Sequence, residues 1–160
     1  MKKNLLLFFL LIMYGIKLTV NAQIIAAGQN HCLAACGNGT MQSWGWNVYG
    51  QLGDGTRINR TMPVMLSNLN NIKSISASYF HALALKNDGT VWTWGNNKYG
   101  KLGIGNMILQ TAPVQVVGLH DVVDISCTAE SSAALLDDGT VLEWGTGAIG
   151  DRIFTPARKN

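Results

Sequence analysis

Metal ligands and nucleophiles are scarce in this chain: three cysteines and three histidines among 160 residues, with nine carboxylates. His31, Cys32 and Cys36 lie close enough in sequence to suggest a zinc set, since imidazole and thiolate are common zinc ligands. Strand alternation works against it, because on one extended segment His31 points to the face opposite Cys32 and Cys36. The same segment separates the Cα atoms of Cys32 and Cys36 by about 13 Å at about 3.3 Å per residue, beyond the roughly 7 Å that a disulfide spans. Cys127 lies two repeats away, so the three are expected as thiols, as small apolar fillers and not as staples. Gly50-x-x-Gly53-x-Gly55 and Gly100-x-x-Gly103-x-Gly105 invite comparison with a phosphate-binding loop. Their order is the reverse of the dinucleotide pattern and no long helix follows, so they read as turn glycines. The acids have no pair that a fold would predictably bring together, and there is no Gly-x-Ser-x-Gly elbow. No catalytic residue, metal site or cofactor site is expected.

The residues left with a recognisable task are aromatic. Trp46 is read as the aromatic without a counterpart in the other copies of an internal repeat, since Asn96 and Thr146 hold its place. On a connecting loop it is a candidate partner contact, together with Tyr49 and Tyr99; filling a gap between structural units is the other role open to it. His31 and His81, at one place in successive copies, are expected to be structural, each ring filling a turn and bonding neighbouring backbone.

What positions these residues is a repeat of 50 residues. Gly-Thr recurs at Gly39-Thr40, Gly89-Thr90 and Gly139-Thr140, and Trp-Gly at Trp44-Gly45, Trp94-Gly95 and Trp144-Gly145; Pro63-Val64 and Pro113-Val114 keep the step. A period of this length marks a solenoid, a propeller or an array. Asn38-Gly39, Asp88-Gly89 and Asp138-Gly139, each flanked by apolar runs, predict two-residue type I′ hairpins. Counting outward from such turns pairs Leu85 with Trp92, Leu83 with Trp94, Leu33 with Trp44 and Ala133 with Trp144, with an alanine face (Ala82, Ala84) on the other side, close to a central axis. The segments around Pro63 and Pro113 read as edge strands that begin with proline, where a missing donor does least harm. Four short strands per period predict propeller blades, with repeats at about 24–73, 74–123 and 124–157. The third copy is eroded: Ser131 replaces the histidine, and the Leu-Gly-x-Gly tail is absent.

Residues 1–22 have the form of a secretory signal: Lys2 and Lys3, an apolar run from Leu5 to Ile16, then Val20-Asn21-Ala22 before Gln23. The run is shorter than the roughly 20 residues a spanning helix needs, so no stable membrane span is expected after cleavage. Removal of Lys2, Lys3 and Lys17 takes the chain from 12 basic and 9 acidic residues to formal neutrality, so the basic balance belongs to the signal. Nucleic-acid binding, which needs clustered cations to release counterions, is not expected. Residues 23–160 are then a partial β-propeller, all-β, placed by export in the periplasm, at the cell surface or outside the cell. Asn38-Gly39-Thr40 and Asn59-Arg60-Thr61 are glycosylation acceptors only in a eukaryotic host.

Gly/Ser-x-x-His-x-Leu-Ala ahead of Asn/Asp-Gly-Thr, followed by Trp-Gly-x-Asn-x-Tyr-Gly-x-Leu-Gly, resembles the regulator of chromosome condensation repeat family over residues 24–150. A kelch blade also runs near 50 residues but carries a double glycine, and none occurs here. The resemblance implies a propeller, commonly of seven blades, in which the strands of one blade come from two neighbouring repeats. It also implies a protein partner: the founding nuclear member is a guanine nucleotide exchange factor, and a secreted bacterial relative inhibits β-lactamases. Three copies cannot close a ring of about seven, so a truncated repeat fragment, or a short member that self-associates through open blade edges, is expected. The expected function is that of an exported, non-catalytic protein-binding module; the alternatives are an inhibitor of a secreted enzyme, an exchange factor-like activity and a non-functional fragment.

Overall fold

In the computed structural model, which describes residues 22–37, 39–146 and 152–158, period-two alternation produces strands and little else. The expected signal segment up to residue 21 and the Asn38 acceptor lie outside the described residues. The first sheet contains β1 (Ala22–Ala27), β2 (His31–Cys36), β3 (Thr40–Gly45) and β4 (Arg60–Asn70). The second contains β5 (Ile72–Ala77), β6 (His81–Lys86), β7 (Val91–Gly95) and β8 (Gln110–Gln115), and the third β9 (Val122–Cys127), β10 (Ser131–Leu136), β11 (Val141–Thr146) and β12 (Arg152–Arg158). Each sheet is an antiparallel meander in chain order, and the three stack as blades of an open, partial propeller. The eroded third copy still completes its blade, with β12 paired to β11 from Leu142↔Arg158 to Thr146↔Arg152. Among the described residues the helical structure is a 3-10 turn at Lys98–Gly100, and no helix is long and apolar enough to cross a membrane.

The hairpins differ from expectation by one residue. Gly89 N donates to Lys86 O at 3.0 Å, and Lys86 N donates to Thr90 O at 2.9 Å. Gly89 has a φ of 80°, whereas Asn87 and Asp88 keep negative values, so the loop is a three-residue type I turn closed by a left-handed glycine. A type I′ turn needs positive φ at both central positions. Asp88 is better used as an acceptor, its Oδ1 taking Thr90 N at 3.0 Å and Thr90 Oγ1 at 2.6 Å, which accounts for the Asp-Gly-Thr sequence. One extra loop residue shifts the register by one and exchanges the faces. Leu85 therefore opposes Val91, Ala84 opposes Trp92, Leu83 opposes Thr93 and Ala82 opposes Trp94. By the same shift Cys32, not Leu33, opposes Trp44, and Ser132, not Ala133, opposes Trp144.

The corrected register explains how blades pack. Alanines and tryptophans share one face and leucines the other, so the small residues leave room for the indoles. The alanine face does not line an axis; it meets the leucine face of the preceding blade. Leu33, Met41 and Leu66 of the first blade pack on Ile75, Ala82, Ala84 and Trp94 of the second. Leu83, Leu85, Val91 and Val116 of the second pack on Ile125, Ala134 and Trp144 of the third. On the outer faces the equivalent residues are less covered: Ile25 is 39% exposed against 8% for Ile75, and Leu135 and Val141 are 37% and 44% exposed where Leu85 and Val91 are fully buried.

The prolines lie inside the fourth strands and not at their starts. β4 pairs Ser43 with Val64 and then Gly45 with Arg60, so Pro63 sits in a bulge that needs no donor; Pro113 in β8 repeats this arrangement. The bulges face the Trp-Gly glycines, whose backbone also passes close to the neighbouring turn. Gly95 has a φ of 101°, and a Cβ there would stand 2.4 Å from Phe80 O and 2.8 Å from His81 Cα. Gly95→Ala is therefore expected to cost about 3 kcal/mol or more in urea unfolding, from combined strain and overpacking. Gly55→Ala, at a φ of 81° with open space around it, should cost only about 1 kcal/mol.

Candidate functional site

At one end of the blades run the turns that lead into β2, β6 and β10 and the long connections that leave β3 and β7. Asn47 organises the first connection from within. Its Nδ2 donates to Asp54 Oδ1 at 3.0 Å and to Ile58 O at 3.1 Å, and its Oδ1 accepts Leu52 N at 2.9 Å. Asn97 repeats this with Asn106 O and Ile108 O at 2.9 and 3.1 Å and Leu102 N at 2.9 Å. Gly50 N is spent on Asn47 O and Gly53 N on Gly50 O, both at 3.0 Å, which makes these turn glycines and leaves neither amide for a phosphate. The connection then lies on the next blade: Trp94 Nε1 donates to Gln51 O at 2.9 Å, and a Cβ on Gly53 would meet the Trp94 ring at 2.9 Å.

Four rings gather where this connection meets the second blade. Trp46 stands edge-on to Tyr49 and Phe80, with centroids 5.7 and 5.8 Å away; Tyr49 and Phe80 are 5.0 Å apart, and Tyr79 and Phe80 are 6.0 Å apart. Trp46, Tyr49 and Phe80 are half-buried and Tyr79 is 51% exposed. Two of the three expected contacts are thus brought together. Tyr99, the third, stands at the next seam with Lys98 Nζ 4.7 Å from its centroid. Sequence reasoning missed Tyr79 and Phe80, which are as far out of period as Trp46: their places are held by Gln29 and Asn30 in the first copy and by Ala129 and Glu130 in the third. At the second seam Lys101, in the place of Gln51, is buried and donates to Ala129 O at 2.9 Å and pairs with Glu130 at 3.3 Å. Burial lowers the Lys101 pKa, and Glu130 opposes that shift.

The two histidines stand at the same seams and are built differently. Ser132 Oγ donates to Lys101 O at 2.8 Å, so it accepts from His81 Nε2 at 2.9 Å, and His81 Nδ1 accepts from Ser78 Oγ at 2.8 Å. Side-chain hydroxyls, not neighbouring backbone, hold this ring. At the first seam Gly28 replaces Ser78 and Ala82 replaces Ser132, and neither ring nitrogen of His31 has a partner among the described residues. Burial pushes His31 down to about 4; burial, with help from Lys101 and His31, pushes His81 down to about 3. Ala82→Ser is expected to give His31 Nε2 the hydroxyl that His81 enjoys and to raise stability by about 1 kcal/mol, read as a higher urea midpoint.

All three cysteines are free thiols. Cys127 lies 3.2 Å from Ser76 Oγ, and burial pushes its thiol up to about 11, so it is protonated at neutral pH.

Residues 38–85 and 88–135 match the model of the regulator of chromosome condensation (RCC1) repeat, and a second model of that repeat matches 23–51 and 72–101. The chain belongs to the regulator of chromosome condensation repeat family. The match over 38–85 runs from β3 to β6, so one family repeat supplies the last two strands of one blade and the first two of the next. Among solved structures, human WBSCR16 is similar at 24% identity and a TM-score of 0.79, covering 89% of this chain and 39% of that one. Yeast RCC1 (Prp20), solved with Kap60 bound, is similar at 25% identity and a TM-score of 0.78, covering 92% of this chain and 38% of that one. A structure of Prp20p from Saccharomyces cerevisiae, described with its binding to Gsp1p and histones, gives 25% identity and a TM-score of 0.76, covering 92% and 40%. The chain therefore spans about two fifths of the length of these proteins. No curated protein matches it.

Proposed function

We propose that this chain is an exported, non-catalytic module that binds a protein partner through the loop end of its blades. The observation that carries this reading is the cluster in which Trp46, Tyr79 and Phe80, at places where the other copies carry no aromatic, gather around the repeat's own Tyr49. Aromatic residues that a scaffold does not require are the type enriched at binding hot spots. Export rests on the signal-like residues 1–22. Binding is favoured over catalysis because the strongly perturbed groups, His31, His81 and Cys127, owe their shifts first to burial between blades. The similar yeast protein was solved with a protein bound, which makes a protein partner the natural expectation. Self-association through the outer blade faces is a second contact, favoured by the exposure of Ile25, Leu135 and Val141.

The test is affinity capture from the native cell envelope with the wild type and with Trp46→Ala/Tyr79→Ala. A specific protein partner held by the wild type and lost by the variant is expected. A partner held equally by both would remove the loop end from the binding surface, and turnover of a small substrate by the purified protein would overturn the reading.

A further inference from the structure

Resting on the protein-binding reading, we propose that the partner enters the first seam with an apolar side chain flanked by carboxylates. The charges of the described residues segregate along the blades. The loop end carries Arg57, Arg60, Lys98, Lys101 and, at the start of β12, Arg152, with Asp54 and Glu130. The hairpin end carries Asp88, Asp121, Asp124, Asp137 and Asp138 with Lys73, Lys86 and, at the end of β12, Arg158, and Glu143 lies mid-strand. At the loop end Arg60 pairs with Asp54 at 2.7 Å and Lys101 with Glu130 at 3.3 Å, whereas Arg57 is exposed. Outside the signal segment the chain is formally neutral, yet its loop end is positive and its hairpin end negative. Such a field steers a carboxylate-bearing surface toward the loops and turns it away from the hairpins.

Arg57 is placed to finish that contact. It is exposed, and its Nε donates to Val48 O, which lies in sequence between Trp46 and Tyr49. This holds the guanidinium beside the aromatic cluster with further N–H donors for a carboxylate, a pairing whose planar fork geometry adds specificity. Ile58, next in the chain, is 61% exposed, and its carbonyl is held by Asn47, the neighbour of Trp46. An apolar anchor meeting these rings and a carboxylate meeting Arg57 would satisfy both halves of the site. Rings with cations also suit single-stranded nucleic acid. Of the cations at this seam Arg57 is exposed, whereas Arg60 and Lys101 are already paired, so few counterions would be released and the arrangement favours a protein loop.

The probe is a displayed library of disulfide-cyclised heptapeptides selected on the immobilised protein, with oligo-dT binding measured in parallel. Peptides with Leu, Phe or Trp beside Asp or Glu should be enriched, and Trp46→Ala/Tyr79→Ala should weaken them by about tenfold or more. Arg57→Glu, an exposed change that leaves the cluster in place, should shift the selected flanks from acidic to basic. Basic or uncharged peptides that still depend on Trp46 and Tyr79 overturn the carboxylate assignment and leave the binding reading standing. Peptides that bind the double variant equally, or no enrichment at all, overturn both. Oligo-dT held more tightly than any selected peptide overturns the assignment to a protein loop.

Discussion

Trp94→Ala is expected to destabilise the protein by about 3–5 kcal/mol in urea unfolding, the range for removing a buried aromatic ring. Trp44→Ala, the same change one repeat earlier, should cost only about 1 kcal/mol, near the centre of the range for point substitutions. The two residues hold the same place in their blades, each followed by a Trp-Gly glycine and each on the alanine side of its sheet. What differs is the blade before them. Trp94 is fully buried among Leu33, Met41 and Leu66, is capped by Gly53 and donates to Gln51 O at 2.9 Å. Trp44 lies on the outer face of the first blade and is only half-buried. Trp94→Phe should fall between the two, losing the bond to Gln51 at a cost of about 1 kcal/mol while keeping much of the ring. Domains are stable by only about 5–15 kcal/mol, so the alanine change at Trp94 consumes a large share of the total. Equal losses at Trp44 and Trp94 would show that the seam is not where the indole is stabilised.

The period, the strand count and the partial propeller were legible because Gly-Thr and Trp-Gly recur at fixed steps, and such residues are fixed by backbone geometry. Register was not legible. Asp88-Gly89 is compatible with a two-residue turn and with a three-residue turn closed by glycine, and the choice depends on whether Asp88 adopts positive φ. The structure gives Asp88 two bonds from Thr90 in the ordinary right-handed conformation, and that local preference inverts both faces of every blade.

The candidate site was half legible. Trp46 was found by asking which residues break the period, and the same question put to positions 79 and 80 would have found Tyr79 and Phe80. Their meeting with Trp46 and Tyr49 was beyond the sequence, because it depends on how the 46–59 connection folds back around the buried Asn47 side chain. The histidines show the same division. Their periodic placement was visible, but the identity of their partners depends on which residue of the next blade reaches across the seam, Ser132 in one case and Ala82 in the other.

Those seam histidines make the fold sensitive to mild acid. An unfolded histidine titrates near 6.5, whereas His31 in the folded protein titrates near 4 and His81 near 3. Because both folded values are depressed, the unfolded chain binds protons that the folded chain refuses. Stability is fully present above about pH 6.5 and is lost as pH falls through 6.5 toward the folded values. At pH 5 each histidine should remove about 2 kcal/mol, and the pair about 4 kcal/mol, relative to pH 8. The lowered carboxyls, Asp54 and Asp88, act only below their ordinary value of 3.8; Cys32 and Cys127, raised from 9.0, act only in alkali, and Lys101, lowered by burial, begins to act below its ordinary 10.5. Both rings have unfolded and folded values on either side of pH 5, and their leucine variants read their share of the loss between pH 8 and pH 5. His31→Leu separates them, since it replaces a buried ring whose nitrogens have no partner among the described residues by an apolar side chain. It should leave stability at pH 8 unchanged or higher and cut the loss at pH 5 to about 2 kcal/mol, the share left to His81. His81→Leu should also halve the acid loss, but it should lower stability at pH 8 by about 1–3 kcal/mol by orphaning the hydroxyls of Ser78 and Ser132. Urea midpoints at pH 8 and pH 5 for the three proteins decide the matter. An acid loss of the same size in His31→Leu as in the wild type would show that the unpartnered ring is not the group that acid charges.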